Sequence, residues 1–503
     1  MKKLIAAIRS AMLIGSAAYA APFYTGGDMT EVTYIVDLGG EYKVTSGDKV
    51  VPFKFMSSRG VNMARIRLSN NPGKGTGDGT YYLPEGYQDE ADTLSLAKRA
   101  KDAGMAIQYT FNYSDYWSNG ERQIIPSEWV KQIKADLGYD VKDVKFLKSM
   151  TDAQKKEIQS KLGDIVYVYT LDIMQKLKAQ DTVPEYVSLG NEINGGMFFP
   201  FANTYDANMN AGRFELVFDE NKDEENDVKC AEDWNALAAI LNRGYDAVKE
   251  IAPDTQVVIH LANGSNEGVF NWFFDKYIAA GGKFDTIGAS YYPAWSHNTI
   301  ETLVTFCNNI SAKYDRDILI METGYNWTEN KKNGYGGQLT PTEDDPKNAE
   351  GYEEKYPFTP AGQLDFLADL FDALKSVDNG RCAGVLYWDP CMIHVEDPDN
   401  PNESLSGWAY NESDDKPAGN VVENTTLFDF DGKALPAFEA FGAKEEKVFE
   451  EKVFIDVYYD AEGTVTAVKI GGASEAPSKW SKVKNYVWNG DTLECYGGLD
   501  LGN

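Results

Sequence analysis

The stretches that decide the fold are Ser188-Leu189-Gly190-Asn191-Glu192 and Ile318-Leu319-Ile320-Met321-Glu322. Each belongs to a run of apolar or β-branched residues that ends on a glutamate, which is typical of a buried parallel strand. In a (β/α)8 barrel, the catalytic groups lie at the carboxyl ends of such strands. Hydrolysis of a glycosidic bond requires two carboxyl groups. The pattern therefore predicts Glu192 and Glu322 as a catalytic pair.

Strand-like apolar runs recur eight times along the chain, with helix-like sequence between most of them. They span residues 23–29, 61–68, 105–112, 186–192, 256–261, 286–292, 318–322 and 383–388. Helical spacing of apolar residues marks 92–104, 165–177 and 234–251. Buried strands that alternate with helices predict βα units. We therefore predict an α/β fold: a (β/α)8 TIM barrel with a small C-terminal β module.

The two ends of the chain differ from its middle. Residues 1–20 resemble a signal peptide, because Lys2 and Lys3 precede an apolar stretch and Ala18-Tyr19-Ala20 is a suitable cleavage site. We expect an exported protein, periplasmic or extracellular, without a membrane span. The barrel should fill residues 21–443. Alternation on both sides of residues 460–463 predicts a β-hairpin in a module at 444–503. That module could bind carbohydrate, dock the protein or cap the barrel, and we favour a structural role.

The net charge and the cysteines indicate which binding partners and metal sites are not expected for this protein. The net charge of −30 argues against nucleic acid and anionic membranes, whose phosphates would repel the protein. An acidic surface also keeps an exported protein in solution, and we expect a monomer. The spacing of the five cysteines gives no support for a zinc site. Cys382 and Cys391 flank one predicted strand and could pair, although simple buried thiols explain them as well.

Several side chains around the two glutamates fit a sugar site. The amide of Asn191, next to Glu192, could hydrogen-bond a substrate hydroxyl, and Tyr291 and Tyr292 could orient Glu322. Aromatic faces stack on the C–H faces of sugars, and about half of the aromatic residues near strand ends should belong to the core instead. The aromatic residues at or just after predicted strand ends are Trp117, Trp129, Tyr291, Tyr292, Trp295, Trp327, Trp388 and Trp408.

Ten segments in order along about 400 residues resemble the endo-β-1,4-galactanases of glycoside hydrolase family 53. The segments are 27–30, 60–68, 97–105, 113–117, 190–197, 258–261, 284–295, 321–325, 384–390 and 427–436. The resemblance implies a retaining (β/α)8 enzyme that cleaves the β-1,4-galactan side chains of pectin and requires no cofactor. It also implies that Glu192 is the acid/base, that Glu322 is the nucleophile, and that an arginine in 60–68 supports the nucleophile.

Carried over position by position, the resemblance implies a set of substrate-binding residues. They are Asp28, Arg67, Asn112, Asp115, Trp117, Asn191, His260, Tyr291, Tyr292, Trp295 and Trp388. The chain departs from the family at Asn112, where a histidine is usual, and asparagine cannot carry a proton charge. Some bacterial members hold calcium after the eighth strand. Asp397, Asp399 and Asn400 offer oxygen ligands there for a structural calcium ion, without matching an EF-hand loop.

Three long loops, at 198–230, 329–356 and 393–424, follow predicted strand ends and should surround the active face. The first contains the acidic stretch 219–227. Because these loops and Asn112 could change the specificity, a second hypothesis keeps the barrel and mechanism but acts on another β-linked polysaccharide, a mannan or a glucan. A third hypothesis is a catalytically weak glycan-binding protein, to which the C-terminal module would contribute.

Overall fold

The computed structural model describes residues 22–73, 79–210, 215–217, 227–332, 337–341, 348–400, 403–413, 416–442, 453–470, 481–488 and 493–500. The predicted signal peptide at 1–20, most of the acidic stretch 219–227 and the start of the predicted C-terminal module at 444–452 lie outside the described residues. The boundaries proposed for these segments stay predictions.

Eight parallel strands close into a barrel, which confirms the predicted fold class. They are β1 (Tyr24–Asp28), β2 (Met63–Leu68), β3 (Ala106–Phe111), β4 (Tyr186–Leu189), β5 (Gln256–Leu261), β6 (Thr286–Ser290), β7 (Asp317–Thr323) and β8 (Cys382–Tyr387). Each strand pairs with its neighbours in the chain, and β8 pairs with β1 to complete the ring. Six of the eight predicted strand regions contain one of these strands, and the other two, 318–322 and 383–388, overlap β7 and β8 with ends that differ by one residue.

Almost every strand residue is buried, because one face of each strand points into the barrel and the other packs against helices. A layer of apolar side chains fills part of the interior. Its members are Met63, Tyr186, Val258, Leu319, Met321 and Leu386. On β2 the inward positions continue from Met63 to Arg65 and Arg67, since side chains two apart share a face. The interior of the barrel is therefore apolar towards the amino ends of the strands and charged towards their carboxyl ends.

Helices cover the outside of the barrel. They are α1 (Val32–Asp37), α2 (Pro52–Ser58), α3 (Glu90–Asp102), α4 (Ser127–Leu137), α5 (Val144–Ser149), α6 (Asp152–Ala179), α7 (Trp234–Ile251), α8 (Glu267–Ala279), α9 (Pro293–Ser296), α10 (Ile300–Tyr314), α11 (Tyr352–Lys355) and α12 (Pro360–Lys375). Helix α6 begins thirteen residues before the predicted 165–177, because Thr151 and Gln154 form a capping box there. None of the helices in the described ranges combines the length and apolar character of a membrane span.

Short strand pairs organise the loops at the carboxyl ends of the barrel strands. Thr80–Tyr81, after β2, pairs with Tyr410–Asn411, after β8. After β4, Gly196–Met197 pairs with Ala202–Asn203, and Ala207–Asn210 pairs with both Glu215–Val217 and Asp227–Cys230. The loops that leave the strand ends are thus partly ordered by backbone hydrogen bonds.

The C-terminal residues form a four-stranded antiparallel sheet. Its strands are β9 (Val453–Tyr459), β10 (Val465–Ile470), β11 (Lys482–Trp488) and β12 (Leu493–Asp500), in the order β10-β9-β11-β12. The predicted hairpin is β9 and β10. Tyr458 and Val483 pack against Tyr87 of the barrel, and β12 lies beside α3. These contacts favour a structural role, which stays a prediction.

The five cysteines, all within the described residues, form no disulfide. Cys382 begins β8 and is buried, and Cys391 is buried in the loop after that strand. Of the two alternatives for this pair, the structure shows the simple buried thiols.

The turn at Gly60, between α2 and β2, limits what can replace glycine. Gly60 has a φ of +98°, and a Cβ atom there would lie 2.1 Å from the carbonyl oxygen of Phe441. Gly104, between α3 and β3, has a φ of +75° with no atom within 4 Å of its Cβ position. We expect Gly104→Ala to cost about 1 kcal/mol of unfolding free energy through the left-handed backbone alone. Gly60→Ala should cost at least about 2 kcal/mol more, because the Phe441 backbone must shift.

Urea unfolding of both variants beside the wild type measures this difference, and Gly104→Ala is the matched control. Equal losses in the two variants would mean that the approach of Phe441 adds no constraint at Gly60.

Candidate active site

Glu192 and Glu322 meet at the carboxyl end of the barrel. One carboxylate oxygen of each residue and one ring nitrogen of His260 all lie within 4.8 Å of one another. The two glutamates reach this point from β4 and β7, which are not neighbours in the ring. The two carboxyl groups are therefore close enough to influence each other's charge.

The backbone after β4 turns sharply to present Glu192. Gly190 has a φ of +88° and Glu192 a φ of +50°, both in the left-handed region. A Cβ atom on Gly190 would lie 2.5 Å from Cγ2 of Ile193. A glutamate in this backbone conformation is strained and persists only where its surroundings fix it. The Gly-Asn-Glu order thus serves the turn as well as the chemistry.

An irregularity in β7 presents Glu322. The register of β7 shifts against β6, where Ser290 pairs with Glu322, and shifts again against β8 between Ile320 and Thr323. A bulge lets consecutive residues face the same side of a strand. Met321 can therefore lie in the apolar layer while the next side chain, Glu322, reaches the groups above it.

Two donors hold the Glu322 carboxylate. The Nη1 atom of Arg65 lies 2.8 Å from Oε1, and the hydroxyl of Tyr292 donates to Oε2 at 3.0 Å. Arg65 is fully buried and Glu322 is 7% exposed. Because few water molecules compete in such a place, both donors stabilise a negative charge on Glu322.

Glu192 has a different environment. The hydroxyl of Ser290 donates to Oε1 of Glu192 at 2.6 Å and lies 2.8 Å from Nε2 of His260. Burial and the charge of Glu322 raise the pKa of Glu192 to about 8, against a smaller lowering by Ser290 and Arg65. At neutral pH, one carboxyl group of the pair therefore holds a proton while the other faces a guanidinium group.

Arg65 joins Glu322 to the motif that carries Glu192. Its Nη2 atom donates to Oδ1 of Asn191 at 2.6 Å, and the Asn191 amide donates to the carbonyl of Ser118 at 2.7 Å. The sequence predicted an arginine in 60–68 beside the nucleophile without saying which one, and the structure shows Arg65 in that position. Arg67, named as a substrate-binding residue, donates to Asp28 and Glu31. The signal that could have found Arg65 is its spacing of two from Arg67, which puts both on the inner face of β2.

Aromatic side chains form a ledge beside Glu322, here called the Trp388 ledge, made of Tyr292, Trp295, Trp388 and Trp408. Trp295 is 40% exposed, with its ring 4.5 Å from that of Tyr292. Trp388 is partly buried and stacks on Trp408 at 5.8 Å, with 11° between the planes. The ring of Tyr292 meets Trp388 edge-on at 6.4 Å. Three predicted binding residues are thus brought together, and Trp408 supports them.

Trp117 lies on another side, after β3. It is partly buried, and the guanidinium of Arg122 lies 4.8 Å from its ring centre. The following loop is tied to the acid motif, because the amide of Gln123 donates to the carbonyl of Asn191 at 2.9 Å. The loop that carries Trp117 is therefore held to the same segment as Glu192, through the hydrogen bond between Gln123 and Asn191.

Two of the predicted contacts need correction. The hydroxyl of Tyr291 does not orient Glu322: it is directed away and donates to the carbonyl of Asn298 at 2.8 Å, and only the backbone N–H of Tyr291 donates to the carbonyl of Glu322, also at 2.8 Å. Tyr291 and Tyr292 point to opposite sides of the chain, as consecutive residues of an extended backbone do. Arg67, predicted as a substrate ligand, instead donates to the buried carboxylates of Asp28 and Glu31.

Four further predicted residues contact protein groups from buried positions. Asp28 and His260 are fully buried, and Asn112 is 2% exposed and donates to Oγ of Ser69. Asp115 accepts the N–H groups of Asn71 and Ser127, so that it holds the loop after β3. All four contact protein groups in this structure, and their part in binding a substrate stays a prediction.

The proposed calcium ligands lie in the loop after β8. Oδ1 of Asp397 accepts the N–H of Asp399, and Oδ2 lies 3.3 Å from Nζ of Lys416. Nζ of Lys416 also lies 3.4 Å from Glu403. In the described part of this loop, the ammonium group of Lys416 therefore lies between the carboxylates of Asp397 and Glu403, at the place a metal ion bridging them would take. These residues do not fit a calcium ion as arranged, and calcium stays an untested prediction.

Comparison with known proteins places this geometry in a family. The family model for glycosyl hydrolase family 53 matches residues 24–162 and 152–441. An arabinogalactan endo-β-1,4-galactanase of Cellvibrio japonicus is 28% identical over 454 residues, covering 88% of this chain and 98% of its own.

Solved structures agree. The family 53 catalytic domain of Ignisphaera aggregans has a TM-score of 0.62 and 26% identity, covering 84% of this chain and 96% of its own. A structure from a study of two fungal β-1,4-galactanases has a TM-score of 0.58 and 25% identity, covering 83% of this chain and 98% of its own. The chain is a glycoside hydrolase and belongs to glycosyl hydrolase family 53.

Proposed function

We propose that this protein is a retaining endo-β-1,4-galactanase in which Glu192 is the acid/base and Glu322 the nucleophile. The observation that carries the mechanism is the close pair of carboxyl groups, with oxygens within 4.8 Å of each other and opposite charge environments. The names of the relatives support the substrate, since the Cellvibrio japonicus protein is an arabinogalactan endo-β-1,4-galactanase.

The separation of the carboxyl groups supports retention of anomeric configuration. Retaining glycosidases keep their two carboxyl groups roughly 5 Å apart, so that one can attack the sugar directly. Inverting enzymes keep them about 6.5 to 9.5 Å apart, because a water molecule must fit between the base and the sugar. One oxygen of Glu192 and one of Glu322 lie within 4.8 Å of each other, which favours the first class.

In the first half of the reaction, protonated Glu192 gives its proton to the glycosidic oxygen as the bond to the anomeric carbon breaks. A carboxylate oxygen of Glu322 attacks that carbon, and a glycosyl ester forms. In the second half, Glu192 takes a proton from water, the resulting hydroxide attacks the same carbon, and the ester breaks to release Glu322. Arg65 and Tyr292 hold Glu322 in place throughout.

The substrate would lie across the Trp388 ledge. Sugar C–H faces suit the partly open rings of Trp295 and Trp388, and a neutral galactan is not repelled by a protein of net charge −30. From the N-terminal sequence, we also propose that the protein is exported and acts on polymer outside the cytoplasm.

A polysaccharide panel tests the substrate. Purified protein incubated with debranched β-1,4-galactan, arabinan, mannan and cellulose should release short galacto-oligosaccharides from galactan alone, resolved by size. Release from mannan or cellulose alone would show that the specificity differs, and Asn112→His would be the first change to try. Binding of galactan without any release would favour the glycan-binding hypothesis.

Removing either carboxylate tests the mechanism. We expect Glu192→Gln and Glu322→Gln each to lower kcat on galactan at least about 10³-fold, because each removes a group that takes part in bond breaking. Melting temperatures should stay near that of the wild type. The exposed Glu121, replaced by glutamine, is the control and should keep full turnover.

Azide can then tell the two roles apart. With azide as an external nucleophile, Glu192→Ala should yield a β-glycosyl azide, and Glu322→Ala an α-glycosyl azide. The reverse pattern would exchange the assigned roles, and wild-type turnover in either glutamine variant would exclude the mechanism.

Ser290→Ala tests the environment of Glu192. The Ser290 hydroxyl stabilises the ionised form of Glu192 and so lowers its pKa, whereas burial and the charge of Glu322 raise it, with a net result of about 8. Without that donor, the pKa should rise further and Glu192 should keep its proton to higher pH. The alkaline limb of the kcat/KM profile should therefore move to higher pH, while Ser290→Thr, which keeps a hydroxyl, should leave it in place. A limb that moves to lower pH in Ser290→Ala would contradict this assignment.

A further inference from the structure

A second group of carboxylates lies beside the proposed catalytic pair, at the ends of β1 and β8. Asp28, Glu31 and Asp389 each offer an oxygen within 4.8 Å of the others, and none is more than 1% exposed. The guanidinium of Arg67 lies among them. The proposed reaction uses none of these four residues directly.

Asp28 is fully satisfied as an acceptor. Its Oδ1 atom accepts the backbone N–H of Thr30 at 3.1 Å and the Thr30 hydroxyl as well. Its Oδ2 atom accepts from Nη1 of Arg65 at 3.2 Å and Nε of Arg67 at 2.7 Å. Every one of these neighbours donates, so none of them offers an acceptor to a hydrogen atom on Asp28.

Glu31 and Asp389 are different, because each has one oxygen that no donor reaches. Oε1 of Glu31 accepts from Arg67 and from Nε1 of Trp408, and Oδ1 of Asp389 accepts the N–H of Cys391. Oε2 of Glu31 and Oδ2 of Asp389 are buried without a partner. An unpaired, buried, charged oxygen is costly, and two close together cost more.

The local charges do not balance if every carboxyl group is ionised. Arg65 shares its charge with Glu322, at 2.8 Å. That leaves Arg67 to face Asp28, Glu31 and Asp389. Two carboxyl groups in contact away from water cannot both ionise, and one proton between them removes the repulsion. In agreement, burial, the charges of Glu31 and Asp28 and a hydrogen bond with Glu31 raise the pKa of Asp389 well above its usual range.

A metal ion would be the other way to neutralise the group. The Nη2 atom of Arg67 already lies 2.5 Å from Oε1 of Glu31 and 3.9 Å from Oδ2 of Asp389. A fixed positive charge at this point repels a cation and leaves the unpartnered oxygens to a proton.

We propose that Glu31 and Asp389 share one proton, and that this protonated pair positions the Trp388 ledge. The link runs through Trp408, whose Nε1 atom donates to Oε1 of Glu31 and whose ring stacks on Trp388. Glu31 and Asp389 are thus positioning residues. The ledge's contact with sugar rests on the proposed function, whereas the shared proton and the stacking do not.

Amide substitutions test the shared proton without any substrate. An amide carries N–H groups where a protonated carboxyl carries O–H, so Glu31→Gln or Asp389→Asn should supply the missing donor. At pH 7 each should change the Tm by no more than about 2 °C. Asp28→Asn is the matched contrast: its amide would face four donors, and its Tm should fall by roughly 5 °C or more. Losses in Glu31→Gln and Asp389→Asn as large as in Asp28→Asn would overturn the proposal.

The pH dependence gives a second test. A carboxyl group whose pKa is raised by folding stabilises the folded state fully below its unfolded pKa, and that stabilisation is lost as pH rises through the folded pKa. The amide variants lack this dependence. The Tm of Asp389→Asn minus that of the wild type should therefore be more positive at pH 8 than at pH 5. A difference that is constant or falls with pH would contradict a shared proton.

Other ionisable groups around the pair do not imitate this effect. Burial raises the pKa values of Tyr42, Tyr82 and Cys391, so they titrate above this range. The guanidinium groups of Arg65, Arg67 and Arg99 keep their charge, and Asp28 is present in both the wild type and Asp389→Asn, the two proteins whose Tm values are subtracted.

Circular dichroism tests the positioning. The stacked indoles of Trp388 and Trp408 should give an exciton couplet in the far ultraviolet, which Trp408→Phe abolishes and so identifies. Glu31→Ala removes the acceptor of Trp408 and should weaken the couplet, whereas Glu31→Gln keeps Oε1 and should retain it. Should Glu31→Ala not fold, Glu31→Leu fills the same volume without an acceptor. A full couplet in a folded variant without the acceptor would overturn the positioning role, whatever the enzyme does with galactan.

Discussion

The carboxyl end of the barrel depends on the charge of Arg65. This side chain is fully buried, and it contacts Glu322, Asp28 and Asn191 at once. A guanidinium group suits the position because its fork reaches several acceptors in fixed directions and it stays charged when buried. Without that charge, Glu322 would be a buried anion with no ionic partner, at a cost of several kcal/mol, and Asp28 would keep only Arg67 as an ionic partner. The inner face of β2 is therefore an electrostatic support for the whole site.

From that support follows the difference between the two glutamates. Glu322 receives a guanidinium and a phenol hydroxyl, whereas Glu192 receives one serine hydroxyl and lies near the negative charge of Glu322. Identical side chains thus acquire unequal charge environments from their neighbours alone, which is what a reaction with one acid and one nucleophile needs. The geometry of β7 contributes equally, because only its irregular register brings Glu322 to Arg65 while Met321 stays in the core.

Much of this could be predicted from the sequence, because it depends on periodicity. All eight strands follow from apolar runs, and Glu192 and Glu322 follow from their places at strand ends. The remaining details depend on the local geometry of the backbone, which composition does not encode. Whether Arg65 or Arg67 reaches Glu322 depends on how far along β2 each arginine lies relative to the end of β7. Whether the hydroxyl of Tyr291 or that of Tyr292 reaches Glu322 depends on which of the two side chains points into the barrel after β6. The unpartnered oxygens of Glu31 and Asp389 appear only when residues 358 positions apart in sequence are placed side by side.

The backbone pairing of Thr80–Tyr81 with Tyr410–Asn411 has a consequence for the carboxylates at the end of β1. These segments follow β2 and β8, and β1 lies between those strands in the ring. Tyr34, which follows β1, donates its hydroxyl to carbonyls of Leu405 and Gly407, beneath the same bridge. These segments thus cover the carboxyl end of β1, which is why Asp28 and Glu31 are buried although they lie at the end of a strand.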